Sequence, residues 1–126
     1  MIRVARLFVV AACAIVLLGT TAQAAPLLFG ADGSGGNPSN LYIIDPATGG
    51  VASTVGAIGF AVTGLAFDPT TGVLYGSTSG AGATSSLLLP IDIATGAGTV
   101  VGDFGVGASP MADIAFDPDG NLYGWL

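Results

Sequence analysis

The stretch Asp117-Pro118-Asp119-Gly120-Asn121 places side-chain oxygens at its first, third and fifth positions, the spacing with which a calcium loop begins. A complete loop also needs glycine at position six and a bidentate carboxylate at position twelve. Position six is Leu122, and the sequence ends before position twelve. The counterpart Asp68-Pro69-Thr70-Thr71-Gly72 keeps only the opening aspartate, so the two stretches share hairpin geometry rather than a ligand set. No metal ligand is assigned here.

Paired carboxylates could instead serve glycoside hydrolysis or aspartic-protease chemistry. Asp45, Asp68, Asp92 and Asp117 each open a turn, however, and Asp32, Asp103 and Asp113 show no mutual spacing that brings two of them to one site. No catalytic residue and no cofactor-binding residue is assigned.

The wider composition narrows the chemistry further. From residue 25 onward there is no Lys, Arg, His, Cys or Glu, and all eight carboxylates are aspartates. Nucleic acids and anionic lipid surfaces have no cation to meet. Ser-His-Asp and Cys-His catalysis lack their base, Schiff-base chemistry lacks its lysine, and zinc lacks its usual ligands. With no disulfide and no salt bridge available, the fold must rest on apolar burial and backbone hydrogen bonds.

Both arginines and the one cysteine lie at the start of the chain. Arg3 and Arg6 precede the apolar run Leu7–Gly19, and Ala22-Gln23-Ala24 supplies a small-x-small cleavage motif. Residues 1–24 are therefore expected to form a signal helix, with cleavage between Ala24 and Ala25. Two alternatives stay open: a retained anchor, against which the run breaks at Gly19-Thr20-Thr21, and lipoprotein processing at Cys13. The expected address is outside the cytoplasm: secreted, periplasmic or at the cell surface. The mature chain, 25–126, is not expected to span a membrane.

Three anchors recur along that mature chain. Ile43–Gly49 (IIDPATG) returns as Pro90–Gly96 (PIDIATG) after 47 residues, and Leu65–Pro69 (LAFDP) returns as Ile114–Pro118 (IAFDP) after 49. Leu74–Gly76 (LYG) returns at Leu122–Gly124 after 48 and is foreshadowed by Leu28–Gly30 (LFG). Apolar and β-branched runs alternate with Asp, Pro and Gly turns, which predicts an all-β protein of antiparallel strands. Cut at each Leu-aromatic-Gly, unit 1 covers about 28–73, unit 2 about 74–121, and residues 122–126 begin a third. Four strands are predicted in unit 2: 73–78, 86–93, 98–104 and 112–117. Pro90 calls for an edge or a bulge in the second of them.

Four short strands per unit of this length point to β-propeller blades, with a β-solenoid as the alternative. The units resemble the repeats of secreted bacterial propellers of the broad NHL, YVTN and quinoprotein-dehydrogenase-like group. That resemblance covers Leu27–Leu126. It implies a partial propeller: an exported, non-enzymatic scaffold or binding module with a protein or carbohydrate ligand. The alternative it leaves is the N-terminal part of a propeller enzyme whose catalytic or cofactor groups lie in blades outside this sequence. Many quinone-cofactor enzymes of the group use basic residues and paired cysteines, which residues 25–126 lack, and Trp125 is the only tryptophan. Propellers close with four to eight blades, so two units leave sheet faces bare. The sequence is accordingly expected to be an incomplete propeller, with further blades or self-association covering those faces. The recurring aromatics Phe29, Tyr42, Phe67, Tyr75, Phe116 and Tyr123 are expected in the core, and Trp125, aligned with Ser77, has no aromatic counterpart.

Overall fold

The computed structural model describes residues 26–33, 36–78, 86–107, 109 and 111–126. The signal segment, its cleavage point at Ala24 and Ala25, and Cys13 lie outside the described residues. Among the described residues there are nine strands and no helix. They are β1 (Leu28–Ala31), β2 (Asn40–Ile44), β3 (Val51–Ala57), β4 (Val62–Phe67), β5 (Leu74–Thr78), β6 (Leu87–Ile91), β7 (Gly102–Asp103), β8 (Asp113–Phe116) and β9 (Leu122–Trp125). Every ladder is antiparallel, in sheets of order β1-β2-β3, β4-β5-β6-β7 and β8-β9. No closed barrel forms among them.

The repeat is visible in the register. Leu28, Phe29 and Gly30 oppose Ile44, Ile43 and Tyr42, and Leu74, Tyr75 and Gly76 oppose Ile91, Pro90 and Leu89 in the same order. On the other side of the Leu-Tyr-Gly strand, Leu65, Ala66 and Phe67 oppose Gly76, Tyr75 and Leu74. Ile114, Ala115 and Phe116 oppose Gly124, Tyr123 and Leu122 likewise. The Asp-Pro turns at 68–72 and 117–120 thus join two strands of one sheet. The second and third sheets each begin one strand earlier than a unit cut at Leu-aromatic-Gly, because a tight turn returns the chain onto the strand it has just left.

Alternation of side chains along each strand gives the middle sheet two apolar faces. On one face Val62, Leu74, Leu89 and Ile91 join Leu41 and Ile58 of the first sheet and its exit, with Phe29, Leu65 and Leu87 packed around them. On the other, Ala66 meets Met111 and Ile114, with Tyr75, Leu88 and Phe116 around them. Leu87, Leu89 and Ile91 face one cluster and Leu88 the other, as a period of two requires. The middle sheet is therefore sandwiched between its neighbours, and each fully buried Leu or Ile contributes about 1.5–3 kcal/mol. Leu41 and Leu89 have no exposed surface.

Three of the four strands predicted in unit 2 form, at Leu74–Thr78, Leu87–Ile91 and Asp113–Phe116. The stretch from Gly98 to Phe104 gives only the two residues of β7 and an isolated bridge from Gly98 to Ile91. Pro90 is the cause. Its carbonyl accepts the Thr99 N–H at 3.0 Å, but it has no N–H to return, so the ladder is interrupted there. In the first sheet Ile43 stands at the equivalent point, pairs with Ser53, and β3 runs for seven residues.

Candidate functional site

The four aspartates that open turns are engaged within their own loops. Asp45 accepts the N–H of Ala47 at 2.8 Å and the Thr48 hydroxyl at 2.9 Å. Asp92 accepts the N–H of Ala94 at 2.8 Å. In both, hydrogen bonds to the charged carboxylate, the backbone N–H first, hold it below the ordinary aspartate range. Gly49, Gly72 and Gly96 lie four residues after Asp45, Asp68 and Asp92, each with a positive φ that only glycine adopts without strain.

Asp68 is the most heavily engaged of the four. It receives the hydroxyls of Thr71 at 2.6 Å and Thr70 at 2.7 Å and the N–H of Thr70 at 2.8 Å. Those donors, the Thr71 hydroxyl foremost, lower its carboxyl to about 2. Its side chain is buried beneath the turn.

The calcium-like stretch is a tighter version of the same device. Asp117 accepts the side-chain amide of Asn121 at 2.9 Å, the Asn121 N–H at 2.8 Å and the Asp119 N–H at 3.0 Å. The Tyr123 hydroxyl adds a longer contact at 3.3 Å. These bonds, led by the Asn121 amide, lower its carboxyl. Gly120 supplies the positive φ one residue sooner than in the other three turns. The Asp117 oxygens face the turn itself, and among the described residues no group of three Asp, Glu, His or Cys side chains comes together.

The described surface also carries cavities. A polar cleft of about 280 Å³ lies where β4 meets β8, with Thr63 and Asp113 on its wall. Thr63 donates its hydroxyl to the carbonyl of Met111 at 2.7 Å, and Asp113 accepts the N–H of Ile114 at 2.9 Å. One carboxylate and one hydroxyl that is already donating make neither a nucleophile–base pair nor an acid–base pair. An apolar groove of about 500 Å³ lies between the first and middle sheets, lined by Leu28, Phe29, Leu65, Phe67, Leu74 and Ile93 among others. It carries no ionisable group.

Of the remaining aspartates, Asp32 accepts the Asn40 N–H and the Tyr42 hydroxyl at the exit of β1, which lowers its carboxyl. Asp103 accepts the Gly105 N–H at 2.7 Å. Asp32, Asp45, Asp68, Asp92, Asp103, Asp113 and Asp117 thus lie on separate turns and edges, and Asp119 shares the turn of Asp117. Phe29, Tyr75 and Phe116 join the core clusters, whereas Tyr123 and Trp125 on β9 are each 54% exposed.

Sequence reasoning passed over two residues. Ser39 and Ser86 are fully buried, and each hydroxyl oxygen accepts an N–H from the start of the next sheet. Their signal was present as a 47-residue offset in step with IIDPATG and PIDIATG. The hydroxyls of both bond to main-chain groups, which makes them ties between successive segments.

No protein-family model matches the chain, and no curated protein matches it.

Proposed function

We propose that the chain is an exported, non-enzymatic scaffold or binding module of the β-propeller type. The observation that carries this reading is the register, which recurs residue for residue on successive stacked sheets. Four-stranded β4-β5-β6-β7 has the strand number and meander order of a propeller blade. The side chains of each repeat are committed to packing and to turns, and the residue types of the mature sequence supply no nucleophile–base pair. Its ligand is a protein or a carbohydrate met outside the cytoplasm, as the N-terminal segment implies.

The test has two arms. Fractionation of cells expressing the full chain, with N-terminal sequencing, is expected to find protein outside the cytoplasm beginning at Ala25. The purified chain is then offered to glycan and extracellular-protein arrays and to hydrolase and oxidoreductase substrate panels. Saturable binding without turnover supports the proposal; cytoplasmic retention or turnover overturns it.

A further inference from the structure

Among the described residues, the first sheet has no strand in the place that β4 and β8 fill in its two counterparts. β5 and β9 each lie against an Ala-Phe strand, β4 and β8 respectively. β1, of the same Leu-aromatic-Gly type, pairs with β2 on one side, and among the described residues nothing pairs with its other edge. It is short, at four residues, but within it there is no charge, proline or bulge.

Two independent observations mark this edge as a seat. Phe67 and Phe116 are equivalent residues on successive sheets. Phe116 is half-buried against Tyr75, with ring centroids 5.4 Å apart, in the interface where the preceding sheet is complete. Phe67 faces the first sheet, which has no such strand among the described residues, and is 49% exposed on the wall of the apolar groove. The second observation concerns Gly124. A Cβ there would meet the Met111 sulfur, so any larger residue at this position of a strand lying against β8 must displace the Met111 thioether. β1 offers Leu28, Phe29 and Gly30 where β9 offers Leu122, Tyr123 and Gly124.

We propose that the outer edge of β1 is a self-association site whose occupant is β8 of a second copy, with β1 taking the place of that copy's β9. The exchange pairs Phe116, Ala115 and Ile114 of one chain with Leu28, Phe29 and Gly30 of the next. One four-residue ladder replaces another of the same register. The shared sheet β8-β1-β2-β3 reproduces β4-β5-β6-β7, and the arriving Ala115 covers the groove beside Phe29 and Phe67 as Ala66 covers Tyr75. That burial drives the exchange. The contact joins unlike surfaces, so it propagates from chain to chain and closes into a ring when the rotation permits. It rests on register and burial alone and is independent of the ligand-binding reading.

Light scattering on the full chain across a dilution series is expected to give at least twice the monomer mass. Gly30→Ala places a methyl 3.2 Å from the Ile44 side chain at home but forces the Met111 thioether aside in the shared sheet, and is expected to weaken the association and shift the dilution series toward monomer. In a Cys13→Ser background, a chain carrying Phe29→Cys is mixed with one carrying Ala115→Cys. A mixed disulfide, or a cross-link by a short bis-maleimide, is expected between the two chains. A wild-type monomer at every concentration overturns the proposal, as does an oligomer that forms no mixed cross-link or one that Gly30→Ala leaves intact.

Discussion

Ser39 and Ser86 hold the same post in successive sheets: each is fully buried, and each hydroxyl oxygen lies 3.0 Å from a backbone nitrogen of the following segment, Val62 and Met111 respectively. Their main chains belong to the same joints, since the Ser39 carbonyl accepts the Ile58 N–H at 2.8 Å and the Ser86 carbonyl accepts the Phe104 N–H at 3.1 Å. Ser86 also donates its hydroxyl to the Ser109 carbonyl at 2.8 Å. Removing either hydroxyl strands a buried N–H, which costs about 1–3 kcal/mol. Ser39→Ala and Ser86→Ala are each expected to lower the unfolding free energy by that amount, read as a lower urea midpoint. Ser77→Ala, whose hydroxyl makes only a 3.5 Å contact to the Met111 carbonyl, is expected to change it less.

Acid stability follows from the Asp turns. The Asp68 carboxyl is lowered from 3.8 to about 2 in the folded chain, so the folded state binds its proton less readily than the unfolded state. The stabilisation is fully present above the unfolded value and is lost as pH falls through the folded one. Asp32, Asp45, Asp92 and Asp117 shift in the same direction. Denaturant midpoints are expected to decline from about pH 4 toward pH 2 and to stay level from about pH 5 to 7, because residues 25–126 contain no histidine. Asp68→Asn is expected to shallow the acid limb.

Pro90 is the point at which the middle sheet departs from the first. Pro90→Ile installs the residue type found at Ile43 and restores one N–H to the side of β6 that faces Thr99. Stability is expected to rise by about 0.5–1.5 kcal/mol, one net hydrogen bond. Hydrogen exchange is expected to slow from Thr99 to Val101. Unchanged exchange there would show that something other than the missing N–H shortens β7.

Gly64 sets the distance between the middle and third sheets. A Cβ at this position would lie 2.8 Å from the Asp113 Cα and 2.8 Å from the Ser77 hydroxyl oxygen, so β4 and β8 would have to part. Gly64→Ala is expected to destabilise by about 1–3 kcal/mol, as overpacking does. Gly102→Ala, with nothing within 4 Å of the added carbon, serves as the control and is expected to be neutral or mildly stabilising. Equilibrium unfolding of the two variants in parallel measures the difference.

Local chemistry was legible from the sequence because its causes lie within a few residues. Asp68 with Thr70, Thr71 and Gly72 specifies a turn wherever the chain goes, and the spacing of Leu74-Tyr75-Gly76 to Leu122-Tyr123-Gly124 specifies repetition. That residues 25–126 hold no His, Lys or Cys was legible for the same reason: composition needs no geometry. Tertiary structure decided what depends on partners distant in sequence. It assigned Leu74 to the sheet of Leu65 through their shared turn, and it turned Asp117 inward on Asn121 where the spacing alone allowed an outward ligand set. It made Ser39 and Ser86 ties across sheets, because a serine's role depends on which N–H arrives 23 or 25 residues later. The proline at 90 could be seen in advance to weaken a ladder, but only the packed sheet fixed which neighbour lost its bond.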